Sequence, residues 1–175
     1  MAGTWQSLRS IGTANSNTGE SSRMTDVEKL SGIPRVVVTG LASDSHTWNL
    51  VYLQLLIEEL GYEVVNLGPC VPDDLLAEEC RRIDPAMVVM SSVNGHGHTD
   101  ALRVIRRLRG CPELSATPTV IGGKLSVSPE RADALAADLR AAGFDAVFAD
   151  GSIDDFQSFL AITAGDVPPG LEGAR

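Results

Sequence analysis

Asp44 and His46 are two residues apart in a short polar stretch, Ser43-Asp44-Ser45-His46-Thr47, that follows the apolar run Arg35-Val36-Val37-Val38-Thr39. A carboxylate so placed can hold one imidazole nitrogen while the other faces a crevice, which is a metal-ligand or proton-transfer arrangement. By itself Asp-x-His has little specificity and is more often a plain solvated loop. Two later stretches carry further polar equipment: the hydroxyls Ser91 and Ser92, followed by Val93, and the pair Gly122-Gly123, followed by Lys124 and Leu125.

Whether these stretches meet depends on the elements that carry them. From Arg35 the chain alternates short β-branched runs with helical periods, five times over. The strands are expected at Arg35 to Thr39, Glu63 to Leu67, Met87 to Ser91, Thr119 to Ile121 and Ala146 to Ala149. Each is short, apolar and continuous, as buried parallel strands are. Pro72-Asp73-Asp74 opens a helix that Asp84-Pro85 ends, and Ser128-Pro129-Glu130 opens another that runs to Gly143. The stretch from Asp100 to Arg109 is amphipathic, with Leu102, Ile105 and Leu108 inward and its four arginines outward. Ser152, Asp154 and Asp155 start the last helix, which Gly165 closes. The first helix, Thr47 to Leu60, is apolar nearly all round, which fits a helix buried in the domain or one that partly meets another subunit.

Five βα units joined by right-handed crossovers give an α/β fold: a flavodoxin-like or Rossmann-like, doubly wound five-stranded parallel sheet, order 2-1-3-4-5, in a single domain. The switch point then lies between strands 1 and 3. The loops after strands 1, 3 and 4 (Gly40 to Thr47, Ser91 to His98, Gly122 to Ser128) line one crevice at the carboxyl edge.

At 175 residues, with 43% hydrophobic and 21% charged content, the chain has material for one core. Residues 1–32 are rich in Ser, Thr, Gly and Asn and are expected to form a disordered tail, with Met24 an alternative start. Residues 33–165 form the domain, and 166–175 a flexible C-terminal tail. Fourteen basic against 23 acidic residues, a net charge of -9, argue against nucleic acid. No stretch approaches a membrane span and no secretory signal pattern opens the chain. Cys70, Cys80 and Cys111 share no metal-ligand spacing and read as reduced thiols, so the expected location is cytoplasmic.

The crevice suits some ligands better than others. Only Gly40 precedes the first helix, too few glycines for a dinucleotide, and Gly95-x-Gly97 lacks a third. Strand 3 ends in Ser91-Ser92 where a phospho-receiver would need an acceptor Asp. His96 and His98 with Asp100 suggest either a small metal site or rim residues that touch a cofactor edge or a partner; their Gly-rich loop favours the rim.

The complete pattern resembles the cobalamin-binding motif D-x-H-x-x-G, S-x-L, G-G. It stands here as Asp44-Ser45-His46-Thr47-Trp48-Asn49, Ser91-Ser92-Val93 and Gly122-Gly123, with 41 residues (50–90) in the first gap and 28 (94–121) in the second. Within this cobalamin (B12)-binding domain family, the chain is similar to the small subunits of glutamate mutase (methylaspartate mutase) over about residues 34–164. SSVNGHG at 91–97, IGGKLSV at 121–127 and AAGFDAVFADG at 141–151 carry that likeness. Two positions depart: Asn49 replaces the Gly and Val93 the Leu.

The resemblance implies that His46 is the lower axial ligand of cobalt, in the base-off, His-on state, with Asp44 bonded to its other nitrogen. Ser43, Ser45, Thr47, Ser92, Val93, Lys124 and Leu125 would complete a cofactor site in which Ser91 bonds the displaced base and Gly122 and Gly123 admit the nucleotide tail. It further implies adenosylcobalamin as cofactor and radical rearrangement of L-glutamate to 3-methylaspartate, an isomerase activity. A separate large catalytic barrel subunit would bind substrate. The rival readings are a stand-alone corrinoid carrier or cobalamin sensor, and a flavodoxin-like interaction domain without cofactor. Methyl-delivering carriers usually have a helical domain first, for which 32 tail-like residues do not suffice.

Overall fold

In the computed structural model, residues 32–125, 132–148 and 152–165 are described. Expectations for the two tails, for the helix start at Ser128-Pro129-Glu130 and for Ala149 lie outside them. Five strands, β1 (Arg35–Gly40), β2 (Glu63–Gly68), β3 (Met87–Ser92), β4 (Thr119–Gly123) and β5 (Ala146–Phe148), alternate with helices. These are α1 (Trp48–Glu59), α2 (Asp73–Ile83), α3 (Gly97–Arg109), α4 (Ala132–Ala142) and α5 (Ile153–Gly165). A 3-10 turn at Pro112–Leu114, not foreseen from sequence, precedes β4.

All strand pairs are parallel and their order is β2-β1-β3-β4-β5, as expected. Alternation along each strand divides the core. Val37, Val88, Met90 and Ile121 face α2, α3 and α4, whereas Val36, Val38, Met87, Val89 and Val120 face α1 and α5. Three helices cover the first face and two the second. The thinner cover leaves room on the second face, and the slot described below lies there.

Helix α1 is not buried as its composition suggests. Leu50, Leu56 and Ile57 pack on the sheet, but Trp48 is 84% exposed, Leu55 60% and Tyr52 51%. A helix apolar on all sides carries no periodic signal for its inner face. In α3 the inward set is Ala101, Val104, Ile105 and Leu108, with Leu102 only half-buried.

One of the four α3 arginines corrects the outward expectation. Arg109, with 20% of its side chain exposed, donates to the carbonyls of Gly143, Leu114, Ser115 and Thr117 and pairs with Asp145 at 2.7 Å. It ties α3, the 3-10 turn and the approach to β5 together. A guanidinium has enough donors for this network. Arg103 bridges Asp73 and Asp100, and Arg107 pairs with Asp74, so those two link α2 to α3 across the surface.

Candidate cofactor site

The centre of the site is the Asp44 carboxylate, 1% exposed. After β1 the chain turns back on itself, with the Asp44 N–H bonded to Leu41 O and the Cys70 N–H to Asp44 O, which holds Asp44 over the edge of the sheet. Its Oδ1 accepts the His46 Nδ1–H at 2.6 Å and the His46 backbone N–H at 3.0 Å. Its Oδ2 accepts the Ser92 hydroxyl at 2.9 Å and the N–H groups of Val93 at 2.6 Å and Asn94 at 3.3 Å. One buried anion thereby joins the loops after β1 and β3.

These bonds determine its titration. Burial pushes the carboxyl pKa up, but the His46 and Val93 N–H groups, then the His46 and Ser92 side chains, outweigh it and hold the value down from 3.8 to about 2. Asp44 is an anion at neutral pH. It fixes Nδ1 as the protonated nitrogen of His46 and leaves Nε2, with its lone pair, for a ligand or metal. The imidazole is 59% exposed on the crevice rim, open to an incoming group.

The remaining predicted residues occupy distinct places. Ser43 is exposed; its N–H donates to Asp100 and its oxygens accept from the Asn94 amide. Ser45 and Thr47 are exposed on the loop, and Thr47 precedes α1 without capping it through its hydroxyl. The Ser92 hydroxyl turns inward to Asp44, so it positions the loop. Ser91, 4% exposed, accepts the Asn49 amide N–H at 2.7 Å. Val93, Gly122 and Gly123 line the slot. Lys124 is exposed and accepts the Gly95 N–H through its carbonyl. Leu125, 3% exposed, packs into the core on the opposite face of the sheet and does not line the slot.

The slot itself, about 140 Å³, runs between the carboxyl halves of β3 and β4 and the helices α1 and α5. Its walls are mostly apolar. Val89 and Val120 come from the sheet, Leu53 from α1, and Phe148 and Phe156 meet edge-to-face at 5.5 Å. Polar groups are concentrated at Asn49, Ser91 and Ser152. Gly123, at φ +100°, has no room for a side chain because a Cβ would overlap the Ser92 carbonyl oxygen. The glycine pair therefore serves the close packing of β3 on β4 as well as the slot.

Sequence reasoning missed several of these residues. Asn94 bonds Asp44 and Ser43, and its Oδ1 accepts the His96 N–H at 2.8 Å. Its signal was the Asn-Gly pair, because an Asn side chain closes a turn onto the backbone two residues on. Gly97 was discounted as a nucleotide glycine, yet a Cβ there would lie 2.7 Å from Ser92 Oγ. The α5 wall had no local signal. Asp100 turns to Ser43 and Arg103, away from a His96–His98 cluster. Among the described residues no group of three His, Cys, Asp or Glu could hold a metal ion by itself.

The doubly wound sheet thus carries a carboxylate-braced histidine on its carboxyl rim with an apolar slot beside it, an arrangement with room for a metal-centred cofactor. The chain belongs to the B12-binding domain family, whose model matches residues 34–142, and cobalamin is its cofactor. It is similar to glutamate mutase sigma subunit 1 of Haloarcula marismortui, 31% identical over 66% of this chain and 76% of that one. Among solved structures it resembles a cobalamin-binding protein from Desulfitobacterium hafniense, with TM-score 0.56 and 18% identity over 73% of this chain and 59% of that one. A signal receiver domain from Syntrophus aciditrophicus fits equally well by shape, with TM-score 0.56 and 14% identity over 81% and 98%. Those two likenesses speak to the fold alone.

Among the described residues no helix is long and apolar enough to cross a membrane. Cys70, Cys80 and Cys111 are free, and burial, with Glu79 nearby, pushes the Cys80 thiol up to about 12.

Proposed function

We propose that this chain is the cobalamin-carrying small subunit of a glutamate mutase-like isomerase, acting with a separate large subunit on L-glutamate to give 3-methylaspartate. The observation that carries the reading is the Asp44–His46 pair. A buried carboxylate locks the imidazole tautomer by a 2.6 Å bond and leaves the ring 59% exposed, which is how a protein prepares a histidine for a metal that arrives with a ligand. His46 Nε2 would take the lower axial position of cobalt, base-off and His-on. The apolar slot would receive the displaced nucleotide tail, with Ser91 donating to it.

When bound, adenosylcobalamin supplies a weak cobalt–carbon bond whose homolysis starts radical chemistry. The chain's own residues hold, orient and shield that cofactor. The slot lining and the loops after β1 and β3 present no arginine cluster for a dicarboxylate, which supports substrate binding on the partner. The open face of α1, with Trp48, Tyr52 and Leu55 exposed next to the His46 loop, supports a subunit contact at that edge.

The test is spectroscopic first. Apo-protein mixed with adenosylcobalamin should take up the cofactor with a base-off spectrum and nitrogen coupling from His46 in electron paramagnetic resonance of the Co(II) state. His46→Ala should keep the fold, because the ring is more than half exposed, and lose that coupling. Unchanged nitrogen coupling in the variant refutes the ligand assignment. Assay of glutamate conversion with the co-expressed large subunit then tests the division of labour, and turnover by this chain alone would overturn it.

A further inference from the structure

Asn49, in the first turn of α1, contributes a polar atom with nothing to bind. Its Nδ2 donates to Ser91 Oγ at 2.7 Å, while its Oδ1 is buried without a hydrogen-bond partner among the described residues. A buried unsatisfied acceptor costs about 1–3 kcal/mol, so its presence on a slot wall that is otherwise almost wholly apolar calls for a donor from outside the chain. Ser91 complements it. Its oxygen receives the Asn49 amide, so its own proton is left to give. The pair offers one donor and one acceptor at adjacent points of the slot.

We infer that Asn49 is a specificity-determining residue for the tail of the bound cobamide: Oδ1 accepts a hydrogen bond from an N–H or O–H of the nucleotide, and Nδ2 orients the Ser91 hydroxyl toward it. This rests on reading the slot as the tail site. Two parts of a nucleotide tail could supply the donor. Dimethylbenzimidazole has no N–H, so in cobalamin the donor is a ribose hydroxyl. An adenine lower base carries an amino group beside a ring nitrogen acceptor, which matches Asn49 and Ser91 together.

The test is binding, followed by the cobamide's own absorption, to the apo full-length chain. The probes are hydroxocobalamin, its adenine-bearing counterpart, and cobinamide, which has no tail. Asn49→Leu keeps the approximate volume and removes both polar atoms. It is expected to weaken the tailed probes about 10-fold, or about 1.4 kcal/mol, to leave cobinamide affinity unchanged, and not to lower the urea unfolding midpoint of the apo-protein, since the unsatisfied acceptor is removed with it. Loss with both tailed probes assigns the donor to the ribose, and loss with the adenine form alone assigns it to the base; either supports the inference. Equal affinity of variant and wild type for both tailed probes overturns it, as does an equal loss for cobinamide. Should Asn49→Leu fail to fold, Asn49→Gly removes the same two atoms without added bulk. Wild type that binds cobinamide as tightly as hydroxocobalamin overturns the reading of the slot itself, which separates that failure from a failure of Asn49 alone.

Discussion

Asp44→Asn should be the most damaging near-isosteric change in the protein. Every group that faces the carboxylate is a donor: two from His46 on Oδ1, and Ser92, Val93 and Asn94 on Oδ2. An amide replaces one oxygen by an NH2 group, so whichever way it turns, a donor meets donors. Hydrogen bonds to a charged group contribute about 1.5–3 kcal/mol and an orphaned buried donor costs about 1–3. With part of that relieved by loop relaxation, the variant should lose about 3 kcal/mol at neutral pH, roughly 10 °C in Tm for a domain of this size. The pH dependence gives a second, independent figure. A carboxyl held at about 2 instead of 3.8 stabilises the folded state by about 2.5 kcal/mol. Because the folded value is the lower one, that stabilisation is complete above about pH 4 and disappears as the pH falls toward about 2. Urea unfolding of the apo-proteins measures both: the gap between wild type and Asp44→Asn should be wide at pH 7 and should narrow below about pH 4. A variant within about 0.5 kcal/mol of wild type at pH 7, or a gap that does not narrow in acid, would refute the argument.

Two further changes probe the frame around the site. Gly123→Ala combines a left-handed backbone with an overlap on the Ser92 carbonyl, so it should cost well over 2 kcal/mol, whereas Gly61→Ala, at φ +89° with open space around it, should cost only about 1. Comparable unfolding midpoints for the two would remove the argument from close packing of β3 on β4. Arg109→Met should cost about 2–4 kcal/mol because it strips four carbonyls and Asp145 of their donor, while Arg106→Met on the exposed face should stay within about 0.5. Arg109→Lys should recover little, since an ammonium cannot span that set of carbonyls, and full recovery in thermal denaturation would reduce the role of Arg109 to charge.

The strands were legible because each is a run such as Val36-Val37-Val38 or Met87-Val88-Val89-Met90 that only a sheet covered on both faces can bury, and their number with helical spacers left one economical topology. The two chemical loops were legible because that topology places their residues at one edge. What the sequence hid is mostly direction. Ser91 and Ser92 are adjacent hydroxyls, and strand alternation sends one to the slot and the other to Asp44, a choice that depends on register. Arg109 looked like the three solvated arginines before it, since nothing local reveals four carbonyls gathered from the 3-10 turn, the segment before β4 and the end of α4. Leu125, two residues beyond Gly123, was grouped with the glycines by proximity along the chain, but the strand end turns it into the core. Helix α1 is apolar on all sides, so periodicity could not say which side meets solvent.

The Asp44 network also explains why the ligand loop can exist before any cofactor binds. A loop that positioned a histidine only through cofactor contacts would pay its ordering entropy at binding. Here the same carboxylate that orients His46 holds three donors of the β3 loop, and Asp100 anchors Ser43 from the first turn of α3. Ordering is thus part of folding, and the imidazole is oriented on the crevice rim before anything binds. Among the described residues two buried polar atoms are left without a hydrogen-bond partner, His98 Nε2 and, on the slot side beside Ser91, Asn49 Oδ1. On the proposed reading, orientation of the metal ligand and selection of the tail are separable: changes at Asp44 should be felt in stability and in cobalt coordination, and changes at Asn49 in the choice among cobamides.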